Sequence, residues 1–239
     1  MTLSPATQDP FTVPGDPVPT VVYRHLRESF SARVSSLDQS QLATMVPQCP
    51  EWTVADVLAH VVGINADFLA GRLVGIGSDD WTAAQVRERA GRSIAVVLAE
   101  WLDLAEQVDR VTADDPFTGV RLTADLVTHH LDVLAALGRR QDTDTAAVRT
   151  GLLRYGPFFC ERARDAGLPT VRIVAGHQRW QSHDGHPSVV LTGSAFELLR
   201  AFSGRRSAAQ VRAMDWSGDP EPYLAVVTPY GLPEVDVEG

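Results

Sequence analysis

An apolar stretch near the middle of this 239-residue chain constrains its fold more than any other feature. Residues 122–137 contain no lysine, arginine or glutamate, and apolar side chains would cover most of the circumference of a helix formed by them. Such a helix is expected to be buried. It nevertheless carries Asp125, His129 and Asp132, whose spacings of four and three residues place them on one stripe. Because an unpaired buried carboxylate is costly, the pattern predicts a counter-charge or a bound metal.

The spacing of Asp125 and His129 suits a divalent cation, because it directs an oxygen and a nitrogen from one helix toward the same point. The best candidate for a third ligand is His60, at the edge of the buried stripe of an earlier helix. Three protein ligands with an open fourth position are typical of catalytic zinc. The alternative interpretation is a buried Asp125–His129 ion pair and an ordinary helix-edge histidine at position 60. Asp132 either orients a ligand or is a hydrogen-bonded core residue.

Apolar periodicity predicts four long helices in the first two thirds of the chain, and four such helices with short connections favour a bundle. Capping-box patterns begin the second helix at Thr53 and the third at Thr82, and Gly138 ends the fourth. A fifth helix is predicted with Pro157 inside it, which should kink or split it. The predicted helices cover roughly residues 19–36, 53–71, 82–108, 121–137 and 145–166.

The pattern changes at about residue 168. Residues 170–175 and 188–191 are rich in β-branched side chains and predict strands, and Asp184-Gly185 predicts a hairpin turn between Trp180 and the second strand. Two further capping boxes predict short helices after Ser194 and Ser207. The chain is therefore expected to comprise a proline-rich strap at 1–18, a helix bundle at 19–167 and a small α/β unit at 168–239.

The composition and charge of the chain exclude several classes of binding partner. A formal charge of −9 disfavours nucleic acid, which is bound through clustered basic side chains, and favours a small-molecule partner. No apolar run approaches the length of a membrane span, and the first nineteen residues have five prolines and no basic residue, unlike a secretory signal. The two cysteines, Cys49 and Cys160, are too few for a disulfide framework. A protein of the reducing cytoplasm, with no membrane partner, is expected.

Three segments resemble a known family. Residues 49–60 (CPEWTVADVLAH) and 125–138 (DLVTHHLDVLAALG) resemble the mycothiol-dependent maleylpyruvate isomerase family, within the DinB-like metal-binding superfamily. Residues 192–205 (TGSAFELLRAFSGR) are similar to the C-terminal domain of that family, an α/β unit of sterol-carrier-protein-like character. The resemblance implies an N-terminal DinB-like four-helix bundle followed by a small C-terminal α/β domain.

The resemblance also implies roles for individual residues. His60, Asp125 and His129 fall on the positions that bind zinc in the family. The acidic position is more often glutamate there, so with the shorter aspartate either the helix lies closer to the metal or the ligand is lost. The catalytic arginine of the C-terminal domain corresponds to Arg205, with Arg206 as the alternative, and a guanidinium can bind a carboxylate through two hydrogen bonds. The other interpretation of Arg205 is a surface arginine near a helix end.

The expected function follows from these roles. Zinc or another divalent metal would hold a mycothiol sulfhydryl at its open position, and the resulting thiolate would attack a small electrophilic substrate. An unsaturated diacid would then undergo cis–trans isomerisation, whereas an epoxide or halide would give an S-conjugate, and the sequence does not choose between isomerase and S-transferase. Two alternatives are a non-catalytic small-ligand-binding protein with a degenerate metal site and a thiol-independent metal hydrolase. No motif indicates the oligomeric state.

Overall fold

The computed structural model describes residues 10–238, so the first half of the strap predicted at 1–18 lies outside the described residues. The described part combines helices with a small sheet region. Its helices are α1 (Pro19–Ser35), α2 (Gln39–Leu42), α3 (Val54–Ala70), α4 (Asp79–Arg89), α5 (Ile94–Asp114), α6 (Pro116–Ala136), α7 (Ala146–Asp165), α8 (Ala195–Phe202) and α9 (Ala208–Arg212). Its strands are β1 (Met45–Val46), β2 (Cys49–Thr53), β3 (Val171–Ala175), β4 (Gln178–Gln181), β5 (Val189–Thr192) and β6 (Asp215–Trp216).

Four long helices, α1, α3, α5 and α6, pack against one another and enclose the helical part of the core. Helix α3 begins as predicted at Thr53, whose hydroxyl accepts a hydrogen bond from the Asp56 amide while the Asp56 carboxylate accepts from the Thr53 amide at 2.9 Å. Helix α6 begins about one turn earlier than predicted because Asp115 caps it and Pro116 occupies its first position. Its apolar sequence is buried, as expected.

The prediction of one long third helix starting at Thr82 is wrong. Helix α4 begins earlier, with Ser78 as its cap, and the chain breaks before α5. At the break Gly91 has a φ of 75°, and the Ser93 side chain caps α5 by accepting from the Val96 amide. The prediction for Pro157 was that it kinks or splits its helix, and α7 runs continuously across it.

A four-stranded sheet follows the helical part in the order β4-β3-β5-β6. Strand β3 pairs antiparallel with β4 and parallel with β5, and β5 pairs antiparallel with β6. The hairpin predicted at Asp184-Gly185 is therefore wrong, because β4 and β5 lie on opposite sides of β3 and this segment crosses between them. The tight turn lies one connection earlier, at Gly176 with a φ of 58°. The capped helices predicted after Ser194 and Ser207 are present as α8 and α9.

Helix α7 packs against α6 on the helical side and against α8 and the sheet on the other side. The Phe159 ring stacks on the Phe202 ring of α8 with centroids 4.9 Å apart. Gly156 allows close contact with the sheet, since a Cβ there would lie 2.5 Å from the Trp180 ring. One continuous apolar core therefore extends through both parts of the described chain. Within the described chain, no helix is both long enough and apolar enough to pass through a membrane.

Candidate metal centre

Side chains from α3 and α6 converge on one point. His60 Nε2 lies 3.6 Å from Asp125 Oδ1, and His129 Nε2 lies 3.7 Å from the same oxygen. The ligand atoms of all three residues lie within 4.8 Å of one another. A tetrahedral zinc with bonds of about 2.0–2.2 Å separates its ligand atoms by about 3.3–3.6 Å. The arrangement therefore fits a divalent cation with little adjustment.

The two imidazoles are shielded, whereas the carboxylate between them is accessible. His60 is 2% exposed and His129 is 7% exposed, while 26% of the Asp125 side chain is exposed to a cavity. The Trp52 ring of β2 covers the pair, with its centroid 4.7 Å from that of His60 and 6.1 Å from that of His129. A cation at this point would be screened from water on one side and open on the other.

Asp132, one turn beyond His129, is fully buried and bound by two arginines. Arg200 of α8 donates to Asp132 Oδ1 at 2.6 Å, and Arg205 donates to Oδ2 through Nε at 3.2 Å and Nη2 at 3.0 Å. The same Oδ2 lies 3.6 Å from His129 Nδ1. Asp132 thus joins the His129 imidazole to the C-terminal part of the chain.

These charges shift the titration of the groups around the centre. Burial raises the pKa of Asp132, but Arg205 and Arg200 outweigh this and hold the pKa far below its ordinary value. Burial lowers the pKa of His129, yet Asp125 and Asp132 outweigh it and raise the pKa to about 10. Burial also lowers the pKa of His60, and this effect prevails over the attraction of the Asp125 carboxylate. The carboxylates of Asp125 and Asp132 therefore favour a proton on the His129 imidazole, whereas burial disfavours one on the His60 imidazole.

A cavity of about 610 Å³ opens directly onto the centre. Its volume suits a small organic molecule. Strand β2, the α3–α4 segment, α6 and α7 supply most of its walls. Its lining includes Cys49, Glu51, Trp52, His60, Asp79, Asp80, Trp81, Asp125, Thr128, His129, Tyr155, Arg205 and Tyr230.

The structure brings the predicted site residues into one place. His60, Asp125, His129 and Arg205 all border the cavity, and Asp132 lies behind it. Arg205, 12% exposed, reaches the cavity wall, so the interpretation as a surface arginine is wrong. The alternative, Arg206, is not among the lining residues and donates to Glu197 at 2.9 and 3.1 Å.

Several site residues were missed by the sequence analysis. Cys49 Sγ lies 3.9 Å from His129 Nδ1 and 3.6 Å from Arg205 Nη2, and Tyr155 and Tyr230 line the cavity. The position of Cys49 within the motif of residues 49–60 was the available signal. Gln85 was interpreted as part of a capping box with Thr82, which is wrong. Its side chain is buried and its Oε1 lies 2.8 Å from His60 Nδ1.

The fold and the site together define a helical protein with two histidines and one aspartate converging on the wall of a cavity, to which the C-terminal part of the chain contributes an arginine. Residues 23–166 match the family described as the mycothiol maleylpyruvate isomerase N-terminal domain. Because this match covers more than half of the chain, the protein belongs to that family.

The chain is also similar to two relatives and to two solved structures. Two uncharacterized proteins of Mycobacterium tuberculosis, from strains CDC 1551 and H37Rv, are each 28% identical over 141 residues, which cover 53% of this chain and 71% of each relative. A crystal structure of the mycothiol-dependent maleylpyruvate isomerase has a TM-score of 0.53 at 14% identity, covering 84% of this chain and 93% of that chain. A crystal structure of a histidine-to-alanine mutant of that isomerase has a TM-score of 0.51 at 14% identity, covering 80% of this chain and 90% of that chain. This similarity establishes a shared fold.

Proposed function

We propose that this protein is a metal-dependent, mycothiol-using enzyme, an isomerase or a thiol S-transferase, that acts on a small electrophilic substrate. The observation that carries the proposal is the convergence of His60, Asp125 and His129 on the wall of the cavity that Arg205 also enters. Family membership supports the thiol as the second reactant. A binding protein with a degenerate metal site is less well supported, because the shorter aspartate still brings its oxygen within 3.7 Å of both imidazoles.

We also propose a domain assignment for this fold. Helices α1, α3, α5 and α6 would form the DinB-like four-helix bundle, within a unit spanning residues 19–167. Residues 168–239 would form the sterol-carrier-protein-like domain, whose four-stranded sheet and capped helices support the assignment. Both cysteines are free thiols, which supports a cytoplasmic location.

His60, Asp125 and His129 would hold the divalent metal, with zinc favoured because two imidazoles and one carboxylate are a common catalytic zinc set. When bound, such an ion supplies Lewis-acid chemistry that lowers the pKa of a sulfhydryl at its open position. His60 is suited to this role because its Nδ1 faces Gln85 at 2.8 Å and its Nε2 faces the centre. The Trp52 ring excludes water from one side of the ligands.

Arg205 would orient the reactants. Its Nε and Nη2 donate to Asp132 and its Nη1 donates to the Ser203 carbonyl at 2.6 Å, which fixes the guanidinium plane. A further Nη2 hydrogen points toward Cys49 Sγ at 3.6 Å. Because most of its donors are occupied, we expect Arg205 to offer single hydrogen bonds to a cavity molecule. The two hydrogen bonds to a substrate carboxylate that were expected from the sequence would require Arg205 to break its hydrogen bonds to Asp132.

In the isomerase reaction, the thiolate sulfur would add to one carbon of a cis double bond conjugated to a carbonyl. The displaced electron pair moves onto the conjugated carbonyl oxygen, and the former double bond becomes free to rotate. Elimination of the same thiolate restores the double bond in the trans form. The thiol is therefore regenerated and no net proton is consumed. The Arg205 guanidinium, positioned on the cavity wall, is a donor for the developing negative charge.

The charge of the cavity supports S-transfer to an uncharged electrophile as the second candidate. Among the described residues lining it, Glu51, Asp79, Asp80 and Asp125 are acidic, and Arg205 is basic. A divalent ion would offset two negative charges and still leave no net positive charge. A dianionic substrate would therefore be repelled unless it paired closely with Arg205 and the ion. In the transfer reaction a C–S bond would form as the C–O bond of the epoxide or the C–halogen bond breaks. The epoxide oxygen stays on the product and takes up a proton, whereas a halide leaves with the negative charge.

The test is turnover by the zinc-loaded protein, with and without mycothiol, of a cis-unsaturated diacid and of an uncharged epoxide. The proposal predicts that both activities require the thiol and are lost in His60→Ala. Replacement of the exposed His177, between β3 and β4, serves as the matched control and should leave turnover unchanged. Mass spectrometry then separates the candidates, since S-transfer leaves sulfur on the product and isomerisation does not. Thiol-independent turnover would indicate a metal hydrolase instead.

A further inference from the structure

A chain of buried polar side chains leads away from the candidate metal centre. His60 Nδ1 lies 2.8 Å from Gln85 Oε1, and Gln85 Nε2 donates to Asp67 Oδ2 at 2.7 Å. Arg72 closes the chain by donating to Asp67 Oδ1 at 2.8 Å through Nε. Gln85 is 1% exposed and Asp67 is 5% exposed, so neither group exchanges these partners freely with water.

The direction of every hydrogen bond in this chain is determined by its far end. The Asp67 carboxylate forms an ion pair with Arg72, whose Nη2 lies 2.6 Å from Oδ1, so its oxygens act as acceptors. The amide nitrogen of Gln85 must therefore face Asp67. That leaves Oε1, which can only accept, toward His60. Nδ1 of His60 consequently carries the hydrogen, and Nε2 faces the candidate ligands on α6, 3.6 Å from Asp125 Oδ1.

The position of Gln85 depends on a glycine. A Cβ on Gly63, one turn after His60 on α3, would lie 2.4 Å from Gln85 Cβ and 2.7 Å from its Cγ. Only glycine therefore allows α4 to approach α3 closely enough for Gln85 to reach the imidazole. Arg89 stabilises this turn of α4 because its Nη1 donates to the Gln85 carbonyl at 3.1 Å.

We propose that Gln85 is a positioning residue of the metal centre, which holds His60 in the Nδ1–H tautomer and points its Nε2 at the ligands on α6, with Asp67 fixing the direction of the Gln85 amide. The effect on metal binding rests on the proposed function, whereas the hydrogen bond between Gln85 and the His60 imidazole is independent of it. Partners of this kind, beyond the ligands themselves, typically change metal affinity by about 10–100-fold when they are removed.

The experiment combines two measurements on each variant. Long-range ¹H–¹⁵N spectra of metal-free, ¹⁵N-histidine-labelled protein report the tautomer of His60, and competition with a chromophoric chelator reports the Kd for zinc. Wild type should show the Nδ1–H tautomer. Gln85→Leu should lose this single tautomer and bind zinc about 10–100-fold more weakly.

Two further variants make the test specific. Asp67→Asn replaces one of the two acceptor oxygens by an NH₂ group, so the Gln85 amide is no longer held in one direction and His60 should populate both tautomers. Tyr23→Phe is the control. It removes a buried hydrogen bond of 2.6 Å from Tyr23 to Asn65, which lies on α3 like His60, and it leaves the hydrogen bonds that link His60, Gln85 and Asp67 in place. It should change neither measurement.

The outcomes separate the two claims. An Nε2–H tautomer in wild type, or an unchanged tautomer in Gln85→Leu, would overturn the role of Gln85. If wild type shows the Nδ1–H tautomer, Gln85→Leu loses it and wild type binds no zinc, the positioning role of Gln85 is upheld. The same result would refute the proposed metal-dependent function.

Discussion

Arg200 Nη1 lies 2.6 Å from Asp132 Oδ1, and both side chains are completely buried. Arg200 lies on α8 in the C-terminal part of the chain, whereas Asp132 lies on α6, one turn after the candidate ligand His129. The second oxygen of the same carboxylate accepts from Arg205, which borders the cavity. The C-terminal part of the chain is therefore joined directly to the helix that carries Asp125 and His129.

Breaking this pair should destabilise the whole protein. In Arg200→Ala, Asp132 loses one of its two cations in a fully buried site, and we expect the free energy of unfolding to fall by about 3–5 kcal/mol. Urea unfolding measures the change. The control is Arg212→Ala, which removes an ion pair with Glu221 on the exposed surface and should have little effect. Equal effects of the two substitutions would contradict the structural importance of the Asp132–Arg200 pair.

Gly63→Ala should damage both packing and the candidate metal centre. The added methyl group would lie 2.4 Å from Gln85 Cβ, so α4 must move away and Gln85 must withdraw from His60. We expect lower stability and weaker zinc binding. Gly156→Ala is the matched control, because its methyl group would lie 2.5 Å from the Trp180 ring, outside the cavity lining. This variant should lose stability and keep its zinc affinity, and equal zinc Kd values for the two variants would argue against the role of Gly63.

Cys160 predicts how stability changes at high pH. Burial raises the pKa of its thiol from 9.0 to about 12, so the unfolded chain loses this proton at a lower pH than the folded protein. Its contribution is complete below pH 9 and declines as pH rises toward 12. The stability advantage of wild type over Cys160→Ala should therefore shrink by about 1 kcal/mol between about pH 8 and pH 10. A pH-independent difference, measured by urea unfolding, would show that the thiol is not held protonated.

Cys49 should report occupancy of the cavity. Its side chain borders the cavity and contacts His129 and Arg205, whereas Cys160 is 3% exposed. We expect iodoacetamide to modify Cys49 alone in the folded protein. Zinc together with mycothiol should slow this reaction by filling the adjacent space, as followed by intact-protein mass spectrometry. Modification at an unchanged rate would mean that the thiol does not occupy this cavity, and Cys49→Ser identifies the modified residue.

Local sequence signals predicted much of the helical part. The apolar pattern of residues 122–137 predicted a buried α6, and Thr53 with Asp56 predicted the start of α3, since both depend on contacts within a few residues. The convergence of His60 with Asp125 and His129 was expected from helix periodicity and family resemblance, and the geometry agrees. Their role as metal ligands stays a prediction.

The features that were missed depend on contacts between distant segments. Gln85 looked like a capping residue because the pairing of α3 with α4 across Gly63 is invisible in a local pattern. The turn at Asp184-Gly185 was predicted as a hairpin because local turn residues do not reveal that β5 pairs with β3. The third helix was drawn as one segment because its apolar periodicity continues across the break at Gly91.

The most direct test of the account is the zinc content of the purified protein after loading and removal of excess metal. With His60, Asp125 and His129 as the ligands, wild type and His177→Ala should each retain about one equivalent, the number expected for one three-ligand centre. His60→Ala should retain almost none while keeping its fold by circular dichroism. A wild type that retains no metal, or a folded His60→Ala that retains as much as wild type, would contradict the account.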